Sequence, residues 1–315
     1  MFTGYSNFST GVDTAFAVII GISLFFFIGI TTAIIFFIVK YNKKRNPVGS
    51  EIEGSTRLEI IWTVIPTILV LFMFWIGWKA YIPMRQVPAD AMKVKVNAQM
   101  WSWRFEYENG KIADTLYVPA NKAVALKMES ADVIHSLYIP AFRIKEDVVP
   151  GKENHMWFKS AVPGVYDLFC AEYCGLRHSY MGTAVKVVDE ATFNTWYASG
   201  PVKIDSASAA KPGAAGKLLV EQKGCVACHS ADGTKIVGPS YKGIFGHRIV
   251  VETNGKEHEI LVDEAYIKQS ILEPEADIVK GFAKGSMPSV YKSMLTNEEI
   301  GKITEFIKSL SAEQK

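Results

Sequence analysis

The sequence predicts a multi-domain membrane protein: a two-helix transmembrane hairpin, then an antiparallel β-sandwich or barrel, then a helical domain. Three observations carry that prediction. Two long apolar stretches lie near the start, short alternating runs follow Pro88, and helical spacing takes over beyond a stretch rich in Ser, Ala and Pro. With 315 residues and a formal net charge of +2, the chain is long enough for two folded domains besides the membrane segments.

The first apolar stretch covers about residues 17–39 (Ala17 to Val39), and the second about 60–81, with no charge between Ile60 and Trp78. Each reaches the roughly 20 residues that a bilayer interior requires. The first is longer than a signal-peptide core and its basic cluster follows it, which argues against a cleaved leader. Lys40, Lys43, Lys44, Arg45 and Arg57 lie between the spans. The positive-inside rule therefore puts this connection in the cytoplasm and everything beyond Tyr81 on the periplasmic or outer face. Thr56 with Glu59 reads as a capping box opening the second span, and Pro66 within it as a kink.

The runs "MKVKVNAQMWSWRFEY", "TLYVPANKAVALKME" and "GTAVKVVD" alternate as half-buried strands do. Residues 199–216, "SGPVKIDSASAAKPGAAG", have the composition of a flexible linker. Beyond it, "GKLLVEQKG" and "DEAYIKQSILEP" read as short helices. Thr296 with Glu299 forms a capping box for a last helix with Ile300, Ile303, Ile307 and Leu310 on one face. The expected organisation is 1–84 for the hairpin, 85–198 for the β-domain, 199–216 for the linker and 217–315 for the helical domain.

Residues 85–200 hold thirteen basic and thirteen acidic side chains, and residues 211–315 fourteen of each. Neither domain has the charge excess that binding nucleic acid or another polyanion requires.

The four cysteines fall in two pairs. In "FCAEYCGLRHSYMG", Cys170 and Cys174 precede His178 and Met181. A single electron-transfer copper takes one thiolate, two imidazoles and a weak thioether; this loop has one thiolate more. Both thiolates can bridge two coppers, with His178 and a second imidazole capping one metal each. Met181 then fits the weak position on one copper, and a loop carbonyl such as that of Glu172 fits the other. The second imidazole is His135 or His155; His135, where the strand "DVIHSLYIP" meets a Pro-marked loop, is preferred. A Cys170–Cys174 disulfide would leave His135, His178 and Met181 unexplained, and a structural zinc would gain nothing from a methionine.

The second pair lies in "GCVACHS", a C-x-x-C-H haem-attachment sequence with Cys225 and Cys228 as thioether positions and His229 as the proximal iron ligand. Met287 in "KGSMPS" is the preferred distal ligand, with Met294, His247 and His258 as alternatives.

The segments "DVIHSLYIP", "KEDVVPGKE" and "FCAEYCGLRHSYM" resemble the binuclear-copper domain of subunit II of haem–copper oxidases, from the first span to about residue 190. "VGPSYKGIFGH" and "SMPS" resemble an all-α class I cytochrome c domain. The resemblance implies a cupredoxin-like β-barrel with two copper ions, one covalent haem c, and a Glu172 whose carboxylate reaches a magnesium ion at the subunit I contact. It also implies that Pro239 packs beside the haem, that Trp101 carries electrons toward copper, and that Glu59 lies at the mouth of a proton-uptake route. The family's His-Gln before that tryptophan is replaced here by Gln99 and Met100. Trp103 and Tyr107 read better as core.

The function so implied is that of the electron-input subunit of a caa-type oxidase. Its partners would be subunit I and other oxidase subunits, membrane lipid, and a donor such as cytochrome c or a quinol-oxidising complex. The alternatives are the electron-input subunit of a copper-containing nitric oxide reductase and a membrane-anchored copper-delivery protein. The covalent haem has no role in delivery.

Overall fold

The computed structural model describes residues 4–49, 53–200 and 213–312, so residues 201–212 of the expected linker lie outside the described residues. The chain divides into two units, Met1–Ala89 with Ala141–Arg143, and Asp90–Pro140 with Ile144–Lys315.

In the first unit, helices α1 (Ser9–Lys40) and α2 (Thr56–Tyr81) are apolar on every side, and their side chains are largely uncovered by protein. Both are long and apolar enough to cross a membrane. Such an all-round apolar surface is stable only against lipid or other protein. At ~1.5 Å per residue, the 32 residues of α1 exceed the ~30 Å hydrocarbon core. Lys40 closes its last turn, where a cation complements the helix dipole. The expected Thr56–Glu59 capping box does not form. The N-cap is Ser55, with no side-chain cap bond, so the third helical position falls on Leu58 and Glu59 is one residue too late.

The β-domain of the second unit has ten strands in two sheets. One follows the order β3 (Ile112–Ala113), β2 (Ser102–Tyr107), β1 (Met92–Gln99), β5 (Ala123–Ser130) and β8 (Asn154–Lys159). The other follows β4 (Leu116–Pro119), β10 (Gly182–Val188), β9 (Gly164–Cys170), β6 (His135–Ile139) and β7 (Ile144–Val148). Alternation fixes which side chains enter the core: Val94, Val96 and Ala98 of β1 are buried opposite Tyr107, Phe105 and Trp103 of β2. β1 runs parallel to β5 and β4 parallel to β10, so the domain is a crossed cupredoxin-like sandwich with most neighbours antiparallel. Trp103 and Tyr107 are core residues, as expected. Helix α3 (Glu190–Ala198) is N-capped by Asp189 and stacks Trp196 on Tyr117, closing one end of the sandwich.

The C-terminal domain contains helices α4 (Ala214–Gln222), α5 (Glu264–Leu272), α6 (Tyr291–Met294) and α7 (Asn297–Ala312). The first of these begins inside the stretch expected to be linker. The capping box of α7 forms: Glu299 accepts from the Thr296 amide at 2.8 Å, and the Glu299 amide donates to Thr296 Oγ1 at 3.2 Å. Ile300, Ile303 and Ile307 are buried with Val220, Ile267 and Ile271. The domain also has a three-stranded sheet, β12 (Lys256–Leu261), β11 (Arg248–Thr253) and β13 (Ile278–Val279), that the reading of the sequence passed over. Its hairpin turns on Asn254 and Gly255, both with positive φ, and an Asn-Gly pair between alternating residues is the strongest short hairpin signal.

Helices α4 and α7 cross at Gly216. A Cβ there would lie 1.9 Å from the Lys302 carbonyl oxygen. Gly216→Ala should force the helices apart and destabilise this domain by about 1–3 kcal/mol, the usual cost of overpacking. A lowered thermal midpoint of the haem absorbance would show it, and an unchanged midpoint would contradict the close crossing.

Candidate functional site

Strand pairing builds the first site. β6 and β9 align Leu137 with Cys170, so the start of one strand, at His135, lies beside the end of the other, at Cys170. The loop from Cys170 to Met181 is closed at its base by the Cys170 amide donating to the Met181 carbonyl at 3.0 Å. The Ala171 amide ties it to the Ser136 carbonyl.

Two matching sets of donors result. Cys170 Sγ lies 3.9 Å from His135 Nδ1 and 3.2 Å from the Glu172 carbonyl oxygen. Cys174 Sγ lies 3.5 Å from His178 Nδ1 and 3.6 Å from Met181 Sδ. The sulfurs are 3.8 Å apart and both cysteines are free, far beyond the ~2.05 Å of a disulfide. Each sulfur therefore has one imidazole and one weak neutral donor of its own, while the pair faces inward. That symmetry fits two metal ions sharing both thiolates; a single tetrahedral ion would leave donors over.

Most of the cluster is buried, with His135, Met181 and Cys174 0%, 1% and 3% exposed, and His178 is half-buried at its rim. A hydrogen bond from Cys174 is the main cause that draws the Cys170 thiol down to about 3, while the same contact and burial push Cys174 upward. One thiolate is thus favoured and a second opposed until a cation enters.

The sequence reading overlooked Asp132. Its Oδ1 is 2.8 Å from His135 Nε2, and its Oδ2 accepts from the Met100 amide at 2.7 Å. The carboxylate holds the proton on Nε2 and leaves Nδ1 free for a metal. An acid three residues before the histidine was the available signal. Asp132→Asn should weaken copper retention about 10–100-fold, measured by competition with a chelator; unchanged retention would make Asp132 a bystander.

Among the other expected residues, His155 is exposed on β8, away from the cluster. The Glu172 side chain is exposed as well. Trp101 is buried and its indole N–H donates to the Cys174 carbonyl at 3.0 Å. Trp103 donates to the Met181 carbonyl at 3.4 Å. Glu59 stands exposed in the first turn of α2.

The second site surrounds the turn Cys225–Ala227. His229 Nδ1 is 2.8 Å from the Pro239 carbonyl, so Nδ1–H donates there and Nε2 is the nitrogen left for iron. Gly238 lies against the same ring, where a Cβ would come within 2.4 Å of His229 Cε1. Burial pushes both Cys225 and Cys228 thiols up, to about 11. A largely apolar cavity of about 940 Å³, open mouth included, is lined by Cys228, His229, Pro239, Ile271, Phe282 and Met287. Met287 thus shares a cavity with His229. Met294 does not line that cavity, and His247 and His258 are exposed. Cavity, thiols and oriented imidazole fit a c-type haem.

Known proteins share each part. Residues 4–77 match the family described as cytochrome C oxidase subunit II, transmembrane domain, residues 110–188 its periplasmic domain, and residues 213–311 cytochrome c. A cytochrome c oxidase subunit 2 of Alkalihalophilus pseudofirmus is 29% identical over 276 residues, covering 81% of this chain and 80% of its own. A probable cytochrome c oxidase subunit 2 of Rickettsia bellii is 30% identical and covers 55% of this chain and 76% of its own. The solved periplasmic domain of subunit II of cytochrome oxidase from Bradyrhizobium japonicum is 32% identical, over 36% of this chain and 96% of that one, with a TM-score of 0.35.

A thiolate–imidazole cluster and a haem-type cavity behind a membrane hairpin define a class, the membrane-anchored one-electron metalloproteins. Within that class the chain belongs to the cytochrome c oxidase subunit II family, with a cytochrome c domain attached.

Proposed function

We propose that this chain is the electron-input subunit of a haem–copper oxidase, taking single electrons at its cytochrome domain and passing them by way of its copper domain to subunit I for the reduction of O2 to water. The supporting observation is the paired donor set around Cys170 and Cys174, which are close but unbonded. Copper and haem are the binding capacities common to the two families matched. The finer assignments are two coppers held by His135, Cys170, Glu172 carbonyl, Cys174, His178 and Met181, and one haem c held by Cys225, Cys228, His229 and Met287 beside Pro239. A β-domain over 85–198, a C-terminal domain that begins with α4, a periplasmic or outer location and coupling to proton translocation belong to the same reading.

When bound, the metals supply one-electron carriage. The chain's own residues keep water away, hold Nδ1 of His135 unprotonated through Asp132, and orient His229 through Pro239. The rim of the copper loop presents Tyr173, Leu176 and Tyr180, each more than two-thirds exposed. An uncovered aromatic and aliphatic rim suits burial against another subunit, and the exposed carboxylate of Glu172 would meet a magnesium ion there. Trp101 would serve electron transfer through its bond to Cys174, and Glu59 proton uptake.

The test is purification of the membrane complex, with copper and haem analysis and oxygen uptake measured against nitric oxide consumption. Two coppers and one covalent haem per chain with oxygen uptake support the proposal. Nitric oxide consumption without oxygen uptake, or zinc at the cysteine pair, would overturn it.

A further inference from the structure

The β-domain and the C-terminal domain meet through side chains of one and backbone carbonyls of the other. Gln99 Nε2 donates to the Lys223 carbonyl at 2.7 Å, and Arg104 donates to the Gln222 carbonyl at 3.1 Å. Arg177, next to His178 in the copper loop, donates to the Ala227 carbonyl inside the haem-attachment turn. Tyr291 Oη stands 3.4 Å from Gln99 Nε2, beside the same carbonyl of Lys223. All three carbonyls lie within residues 222–227, at the end of α4 and the start of the C-x-x-C-H segment.

Gly224 marks the closest approach. Its φ is +76°, and a Cβ would lie 2.4 Å from Gln99 Nε2 and 2.7 Å from Ser102 Oγ. The position thus requires glycine for its backbone conformation and again for its neighbour. The contact is also registered to the copper cluster from two sides. Met100, following Gln99, is held by the carboxylate that holds His135, and Arg177 precedes His178.

We infer that Gln99, Arg104 and Arg177 form a clamp that reads three backbone carbonyls of the haem-attachment segment and seats the C-terminal domain in one register on the copper-loop face of the β-domain. The linker then serves assembly, and the seated contact sets the working geometry. Because the acceptors are uncharged carbonyls, the seating should resist salt far better than an interface held by opposite charges. The contacts stand on this geometry, the names copper loop and haem segment rest on the proposed function, and fragment release can fail while the metal and oxygen assays succeed.

The test uses the whole membrane complex carrying a protease site introduced within residues 201–212. After cleavage, the cytochrome fragment of the parent protein should co-elute with the complex in size-exclusion chromatography at both low and high salt. Gln99→Ala/Arg104→Gln/Arg177→Gln should release it, with a dissociation constant raised about a hundredfold for three lost hydrogen bonds. Arg177→Lys should restore part of the retention lost in Arg177→Gln. If Arg177→Gln disturbs the copper absorbance, the double variant Gln99→Ala/Arg104→Gln, outside the loop, gives the answer. Release of the parent fragment at low salt, its release only as salt rises, or equal retention of the triple variant would each overturn the clamp.

Discussion

Serine in place of Cys174 is expected to remove the copper absorbance of the purified complex and leave its haem c absorbance intact. Cys174 Sγ is the point where three other donors converge, with Cys170 Sγ, His178 Nδ1 and Met181 Sδ at 3.8, 3.5 and 3.6 Å. A serine oxygen is harder, shorter-reaching and not ionised near neutral pH, so it cannot share two soft ions with Cys170. Loss of one such ligand exceeds the ~10–100-fold cost of losing a supporting residue, so turnover with oxygen should fall by more than about a hundredfold. Copper content by elemental analysis, the visible spectrum and oxygen uptake provide the check. Unaltered copper would remove Cys174 from the ligand set.

The second large effect is expected from His229→Ala. The thioether positions Cys225 and Cys228 remain, so the haem should stay attached under denaturing conditions while its low-spin spectrum is lost. Donor-driven oxygen uptake should drop by at least about a hundredfold, because the iron loses the ligand that Pro239 orients. Met287→Ala should be milder in attachment and lower the reduction potential, since a methionine ligand raises it. An unchanged spectrum in His229→Ala would place the proximal ligand elsewhere.

Much of both candidate sites could be read from the sequence because their proposed ligands are local. Cys170, Cys174, His178 and Met181 occupy one loop, and Cys225, Cys228 and His229 one turn, so spacing alone brings them together. His135 was only preferred over His155, from its place where a strand meets a Pro-marked loop, because its meeting with Cys170 depends on the register of β6 against β9, which no local pattern specifies. Asp132 escaped notice for a related reason: an acid before a histidine has meaning only once the ring is known to face a metal on its other side. The Asn254–Gly255 hairpin was locally legible and was passed over in favour of an all-helical expectation. The cap of α2 was misplaced by one residue, a shift that Ser55 and Thr56, both good caps, make easy. The contacts of Gln99, Arg104 and Arg177 were beyond any sequence pattern, since each recognises main-chain oxygen and none recognises a particular side chain.

Met181 has a divided employment. Its carbonyl oxygen fastens the loop, receiving the Cys170 amide and the Trp103 indole, whereas its thioether touches only the cluster sulfur among the hydrogen bonds of the site. On the proposed ligand set, scaffold and tuning are therefore carried by separate atoms of one residue. A glutamine or leucine at that position could shift the midpoint voltage of the centre while the loop keeps its shape, which makes it the natural dial for redox engineering of this protein.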